Sequence, residues 1–161
     1  MTIALRLRRY LESSGVPYTH CVHSPAYTAQ EVAAAQHVPG RNLAKSVVLR
    51  AHGRFAMVVL PATMKLDVEQ TRRVLQCPSA RVATEEEFAS LFPDSEVGAM
   101  PPFGNLYGLT VYVDRTLTDD NEIVFNAGTH TETIRMKYDD FARLVDAAVI
   151  DAAVPIQAGA A

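Results

Sequence analysis

The fold class the sequence predicts is a single α+β domain, a mixed α/β chain whose sheet carries much antiparallel pairing. Three observations predict it. The chain has 161 residues, close to the length of one domain, and its 48% apolar content is enough to bury a real core. Helix-like and strand-like stretches follow one another in the irregular order α-β-α-β-β-α-β-α-β-β-β-α. Neighbouring strands are joined by short turns instead of helices, which favours antiparallel pairing.

Each element has a local reason. Ile3, Leu7, Tyr10 and Leu11 recur at helical spacing and Gly15 with Pro17 supplies a stop, so residues 2–14 read as an amphipathic helix, followed by a short strand near 16–23. Thr28-Ala-Gln-Glu31 fits a capping box, opening a helix that stops before Pro39-Gly40. Ser46 to Arg50 and Phe55 to Leu60 flank His52-Gly53-Arg54 and read as a hairpin buried on both faces. Asp67 can cap a helix carrying Val68, Val74 and Leu75, and Thr84-Glu-Glu-Glu87 repeats the capping box before a helix ended by Pro93. Leu109 to Val113, Ile123 to Asn126 and Thr133 to Lys137 are three further strands, with turns at Asn121 and at Ala127-Gly128-Thr129. A last helix runs from Asp139 to about Ala148; residues 1–150 form the domain and 151–161 a flexible tail of small residues.

Several classes of function are excluded or disfavoured. No apolar run is long enough for a membrane span, and the early arginines are unlike a signal peptide, so a soluble cytoplasmic protein with no membrane partner is expected. Cys21 and Cys77 are too few for a disulfide framework and lack metal-ligand pairing, so both read as free thiols. The net charge of −3 divides into ten Lys/Arg against four Asp/Glu in residues 1–80 and five against fourteen in residues 81–161. Either the halves neutralise each other on folding, or one face meets a short run of phosphates; coating of DNA is not expected.

Pro39 to Ser46 has a Lys-Ser pair after a glycine-containing loop, but Pro39 and Ala44 stand where a P-loop needs glycine, and a strand follows in place of a helix. Lys45 remains notable as a cation at the entrance of an apolar strand, suited to a phosphate, although a lysine snorkelling at a strand end has the same pattern. In His20-Cys21-Val22-His23, strand alternation sends His20 one way and Cys21 and His23 the other, so no metal site is expected. No G-x-S-x-G elbow is present, and His37 and His52 read as surface residues beside turns. The loop Gly98-Ala-Met-Pro-Pro102-Phe-Gly104 and the turn Asn126-Ala-Gly128-Thr-His130 each lie beside a strand end, where a pocket can borrow rigidity from the sheet.

Three segments taken together, Ala44-Lys45-Ser46-Val47-Val48, the Gly98 to Gly104 loop, and Asn126 to His130 before an Ile-x-Met strand, resemble the YbaK/EbsC family, the prolyl-tRNA synthetase-associated editing domain. The resemblance extends from the first helix to about residue 148 and implies a curved central sheet surrounded by helices. It also implies an activity: a free-standing hydrolase that deacylates mischarged aminoacyl-tRNA, with a small amino acid on tRNA-Pro or a related tRNA. Its partners would be the acceptor end of aminoacyl-tRNA and, in some settings, an aminoacyl-tRNA synthetase.

Carried over by position, the resemblance implies that Lys45 holds the terminal nucleotide's phosphate, and that Gly98 and Pro102 belong to a G-x-x-x-P loop framing the aminoacyl group. Gly128 matches a glycine of the facing turn, and His130 a histidine found in some branches of the family. Lys45, Gly98 and Gly128 are the expected catalytic positions; Met100, Pro102, Phe103, His130 and Tyr27 join Lys45 and Gly128 as the expected lining. With no protein nucleophile visible, the chemistry expected is positional, using backbone amides and an oriented water, with no cofactor and no metal. A non-catalytic module that captures an aminoacylated tRNA end or a synthetase would present the same residues.

Overall fold

A computed structural model describes residues 3–156; residues 1–2 and the end of the expected tail, 157–161, lie outside the described part. The chain runs α1 (Leu5–Ser14), β1 (Tyr18–Val22), α2 (Ala29–Ala35), β2 (Leu43–Ala51), β3 (Arg54–Pro61), β4 (Met64–Leu66), α3 (Val68–Val74) and β5 (Arg81–Val82). It continues with α4 (Glu85–Phe88), β6 (Thr110–Asp114), β7 (Glu122–Asn126), β8 (Glu132–Lys137), α5 (Tyr138–Val145), β9 (Ala148–Ile150) and β10 (Ala153–Pro155). The main sheet has the order β1-β8-β7-β2-β3-β6-β9, with β5 added to β2, and β4 pairs with β10 in a separate ribbon. In the main sheet the β1–β8, β7–β8, β2–β3 and β2–β5 ladders are antiparallel, and β2–β7, β3–β6 and β6–β9 are parallel. This is the mixed, mostly antiparallel sheet of an α+β domain.

The capping residues act as their chemistry dictates. The Thr28 hydroxyl accepts from Glu31 N–H, while the Glu31 carboxylate reaches past the cap to Tyr27 N–H at 3.2 Å. Asp67 accepts from Gln70 N–H, and Thr84 with Glu87 forms the complete reciprocal box. Three boundaries differ from the sequence reading. Helix α2 ends at Ala35, because Gln36 caps it and His37 turns to a φ of 54°. Helix α5 ends at Val145, where Asp146 takes a left-handed φ of 52°, and the chain returns as β9. Strand β2 begins at Leu43, so Lys45 is its third residue and not a residue at its entrance. Part of the tail expected from residue 151 is also ordered, since β10 closes against β4 and Ile156 N–H donates to Thr63 C=O.

The principal core lies between one face of the sheet and the helices α1 and α5. Leu7 and Leu11, one helical turn apart on α1, are fully buried, and Phe103, Phe125 and Phe141 meet edge-on or tilted with ring centroids 5.4–6.3 Å apart. On the opposite face α2 sets Val32 and Ala33 against Leu43, Ala62 and Val124. Met57 to Leu60 of β3 are each fully buried, as a strand covered on both faces requires. Its partner β2 is opened at Lys45, Ser46 and Val47, which remain partly exposed.

Candidate active site

The site begins with a break in the sheet. Along β3, strand β2 is paired without interruption from Ala44 to Ala51. Along its other edge it pairs with β7 at Leu43 and Ala44, then with β5 at Leu49 and Arg50, and nothing is paired between. Backbone direction alternates along a strand. Leu43 C=O accepts from Ala62 on the β3 side, whereas Val48 C=O accepts from Ala83 on the open side. The even-numbered residues therefore face the open edge, and the N–H and C=O of Ser46 point into the gap.

A cavity of about 180 Å³ occupies that gap, lined by Tyr27, Ala29, Ala44, Lys45, Ser46, Gly98, Met100 and Asn126. Lys45 is half-buried there, and burial alone lowers its pKa; no carboxylate pairs with it among the described residues. Two lining side chains carry buried polar atoms with no hydrogen-bond partner, Ser46 Oγ and Asn126 Oδ1. Orphaned groups of this kind cost about 1–3 kcal/mol each. Both residues line the cavity.

Backbone-to-backbone bonds hold the opposite wall. Glu96 N–H donates to Gly128 C=O at 2.8 Å, and Gly128 N–H donates to Ala99 C=O at 2.9 Å, zipping the loop before Met100 to the turn after β7. The start of α1 locks the same turn through Ala4 N–H on Ala127 C=O at 2.7 Å. Asp94 fixes the loop from its other side, accepting from Arg6 N–H at 3.0 Å and from the Tyr107 hydroxyl at 2.7 Å. Within this frame Gly98 has a φ of 88°, and its N–H meets the thioether of Met100 at 3.2 Å. A thioether is a weak acceptor, so an ester oxygen would readily take its place.

The expected site residues divide into three groups. Lys45, Gly98, Met100 and Tyr27 are brought together around the cavity. His130 stands just behind it: its ring lies 4.6 Å from that of Tyr27, and its Cε1 is 3.5 Å from where a Cβ on Gly98 would sit. The remaining three residues are not among the lining. Gly128 packs its α-carbon against Ala4, so its contribution is to the fold of the turn. Pro102 is buried, and Phe103 is fully buried between Phe125 and Phe141. The loop therefore has a packing role that its Pro/Gly composition conceals, with Phe103 as its anchor.

Four lining residues were not selected by sequence reasoning: Ala29 and Ala44, which are apolar, and the polar pair Ser46 and Asn126. Ser46 and Asn126 lie inside the segments singled out for Lys45 and Gly128, and their polarity at otherwise apolar strand positions was the available signal. The His20 to His23 segment is elsewhere engaged: His20 Nε2 bonds Glu132 at 3.0 Å, and His23 Nδ1 bonds Ser24 C=O at 2.6 Å. A larger cleft of about 560 Å³ opens beside α3, but its arginines are occupied, Arg72 by Glu69 and Ala80 C=O and Arg73 by Gln70.

The fold and site define a mixed α/β domain with a small, largely neutral slot at a sheet break, one half-buried cation beside it, and, among the described residues, no activated nucleophile at the slot. The sequence model described as the aminoacyl-tRNA editing domain matches residues 23–144, and the chain belongs to that family. Among solved structures, one described as a candidate trans-editing enzyme for prolyl tRNA synthetase is 27% identical, with a TM-score of 0.78 over 92% of this chain and 95% of that one. The crystal structure of hypothetical protein APE2540 superposes with a TM-score of 0.83 at 20% identity, covering 92% of this chain and 99% of the other. A scaffold used in computational epitope grafting gives 0.80 at 22% identity, covering 95% and 97%. The last two establish the shared fold. No curated protein matches the chain.

Proposed function

We propose that the protein is a free-standing deacylase that hydrolyses the ester between a small, wrongly attached amino acid and the terminal adenosine of tRNA-Pro or a related tRNA. The observation that carries this reading is the meeting of a half-buried Lys45, unpaired among the described residues, with the unpartnered Ser46 Oγ and Asn126 Oδ1 and a Gly98 N–H bonded only to a thioether, in a slot of about 180 Å³. Lys45 takes the nucleotide's phosphate, which restores the ammonium's lost solvation. The aminoacyl group enters the sheet gap. Water attacks the ester carbon, the tetrahedral oxyanion is held by backbone N–H groups of Gly98 and Ser46, and the carbon–oxygen bond to ribose breaks as the ribose oxygen takes up a proton. Ser46 is not assigned as a nucleophile, because its Oγ has no base within hydrogen-bond reach. The enzyme works in the cytoplasm, beside the synthetase whose errors it removes.

Such a site is chemically useful because a synthetase pocket discriminates a single methylene by only about 1–3 kcal/mol. Ala29, Ala44 and Met100 leave a short apolar space with no carboxylate or second cation facing it, so selection is steric. In single-turnover assays on a panel of mischarged tRNAs, small amino acids are expected to be released about ten- to a hundredfold faster than large or charged ones. Fastest release of a large or charged residue would overturn the steric model. Binding of aminoacyl-tRNA with no deacylation of any member would favour the non-catalytic capture module instead.

Lys45 also sets a pH dependence. Burial lowers its pKa, so the cation is lost at a lower pH than for an exposed lysine. Capture of the phosphate, and with it kcat/KM, is expected to fall as pH rises through that lowered value, after subtraction of the spontaneous hydrolysis of the ester. Lys45→Arg, which stays charged, should flatten this alkaline limb. An unchanged limb in the arginine variant would remove Lys45 as its source.

A further inference from the structure

We infer that the cavity reads the free α-amino group of its substrate, with Asn126 and Ser46 as the acceptors, and therefore rejects aminoacyl esters whose nitrogen is acylated. The inference deepens the proposed reading and rests on it for the identity of the bound group. It starts from the kinds of polar atom left unpaired. Asn126 Oδ1 can only accept, and Ser46 Oγ can accept while its own hydrogen turns elsewhere. Ser46 C=O, turned into the gap by the alternation of β2, is a third acceptor.

Three acceptors at one sheet break call for a ligand with several donors, and an α-ammonium has three. His130 stands behind them and is given no part in the recognition: its Nε2 lies 3.1 Å from Val97 C=O and 3.7 Å from the Glu96 carboxylate.

The neutrality of the acceptors also has a reason. A carboxylate here would pair with Lys45 and take it from the phosphate, whereas neutral acceptors leave Lys45 free. The bound phosphate in turn screens Lys45 from the α-ammonium, so the two cations can occupy neighbouring places. An N-acyl group would bring one donor in place of three, and a carbonyl oxygen facing acceptors.

The test uses two stable amide analogues of the aminoacylated terminus, 3′-alanylamino-3′-deoxyadenosine 5′-phosphate and its N-acetyl derivative, titrated calorimetrically into the full chain. The wild type is expected to bind the free amine at least about tenfold more tightly, the worth of one charge-assisted hydrogen bond. Asn126→Leu should lose most of that ratio, and Asn126→Asp, which keeps an acceptor of the same shape, should retain it while binding both analogues more weakly because its carboxylate competes for Lys45, with melting curves confirming that both variants fold. Equal binding of the two analogues, failure of both to bind, or a ratio preserved in Asn126→Leu would overturn the inference. Deacylation separates this inference from the hydrolase reading. A wild type that prefers the free amine yet hydrolyses no mischarged tRNA refutes the hydrolase alone. Equal hydrolysis of free and N-acetylated alanyl-tRNA refutes the amine reading alone.

Discussion

Replacing Lys45 by alanine is expected to lower deacylation by one to two decades while leaving the fold intact. A charge-assisted hydrogen bond to a phosphate is worth about 1.5–3 kcal/mol, and each 1.36 kcal/mol is a factor of ten in rate. Two features of the position make the loss specific to function. Lys45 makes no ion pair or side-chain hydrogen bond among the described residues, so its removal orphans nothing. Its charge is held against desolvation, so below the depressed pKa the unliganded fold carries a small cost that alanine relieves. The melting temperature should therefore hold or rise slightly while activity falls. Near wild-type rates in the alanine variant, measured at subsaturating substrate, would remove Lys45 from the site.

That separation of stability from function could be anticipated from the sequence only in part. The capping residues Thr28, Asp67 and Thr84 were legible because a cap is a contact between residues three apart, and the β2–β3 hairpin because its turn and both apolar runs are contiguous. Strands β4, β9 and β10 were not: each has three residues, too short for a period to show, and each exists through partners far along the chain. The site shows the same division. Lys45, Gly98, Met100 and Tyr27 were reached through the family resemblance, whereas Ser46 became prominent only once the edge of β2 was seen to lose β7 before gaining β5. A gap in a sheet is a property of three strands at once. Phe103 illustrates the converse, since a phenylalanine flanked by proline and glycine reads as exposed lining until Phe125 and Phe141 arrive around it.

The two glycines of the facing loops should respond differently to valine, and the difference tests which of them faces substrate. At Gly128, with φ at 108°, a Cβ would stand 2.9 Å from the Ala4 Cβ and 3.0 Å from the Ala4 backbone nitrogen. Neither neighbour can rotate away, and moving Ala4 would break its bond to Ala127. Strain of about 1–3 kcal/mol for the backbone and a similar amount for overpacking make Gly128→Val strongly destabilising, with activity lost in proportion to folded protein. At Gly98 the conformation is also left-handed, but a Cβ would meet only His130 Cε1, at an ordinary 3.5 Å. Gly98→Val should therefore cost about 1–2 kcal/mol of stability from the backbone alone. The strained backbone, however, draws its N–H off the line to the oxyanion, a loss worth about 10²–10³ in rate when one such donor is removed. Thermal melts and single-turnover deacylation on the same two preparations give the comparison. A fall in activity at Gly98→Val no larger than its fall in folded fraction would mean that this loop only shapes the fold, and that the oxyanion is held elsewhere.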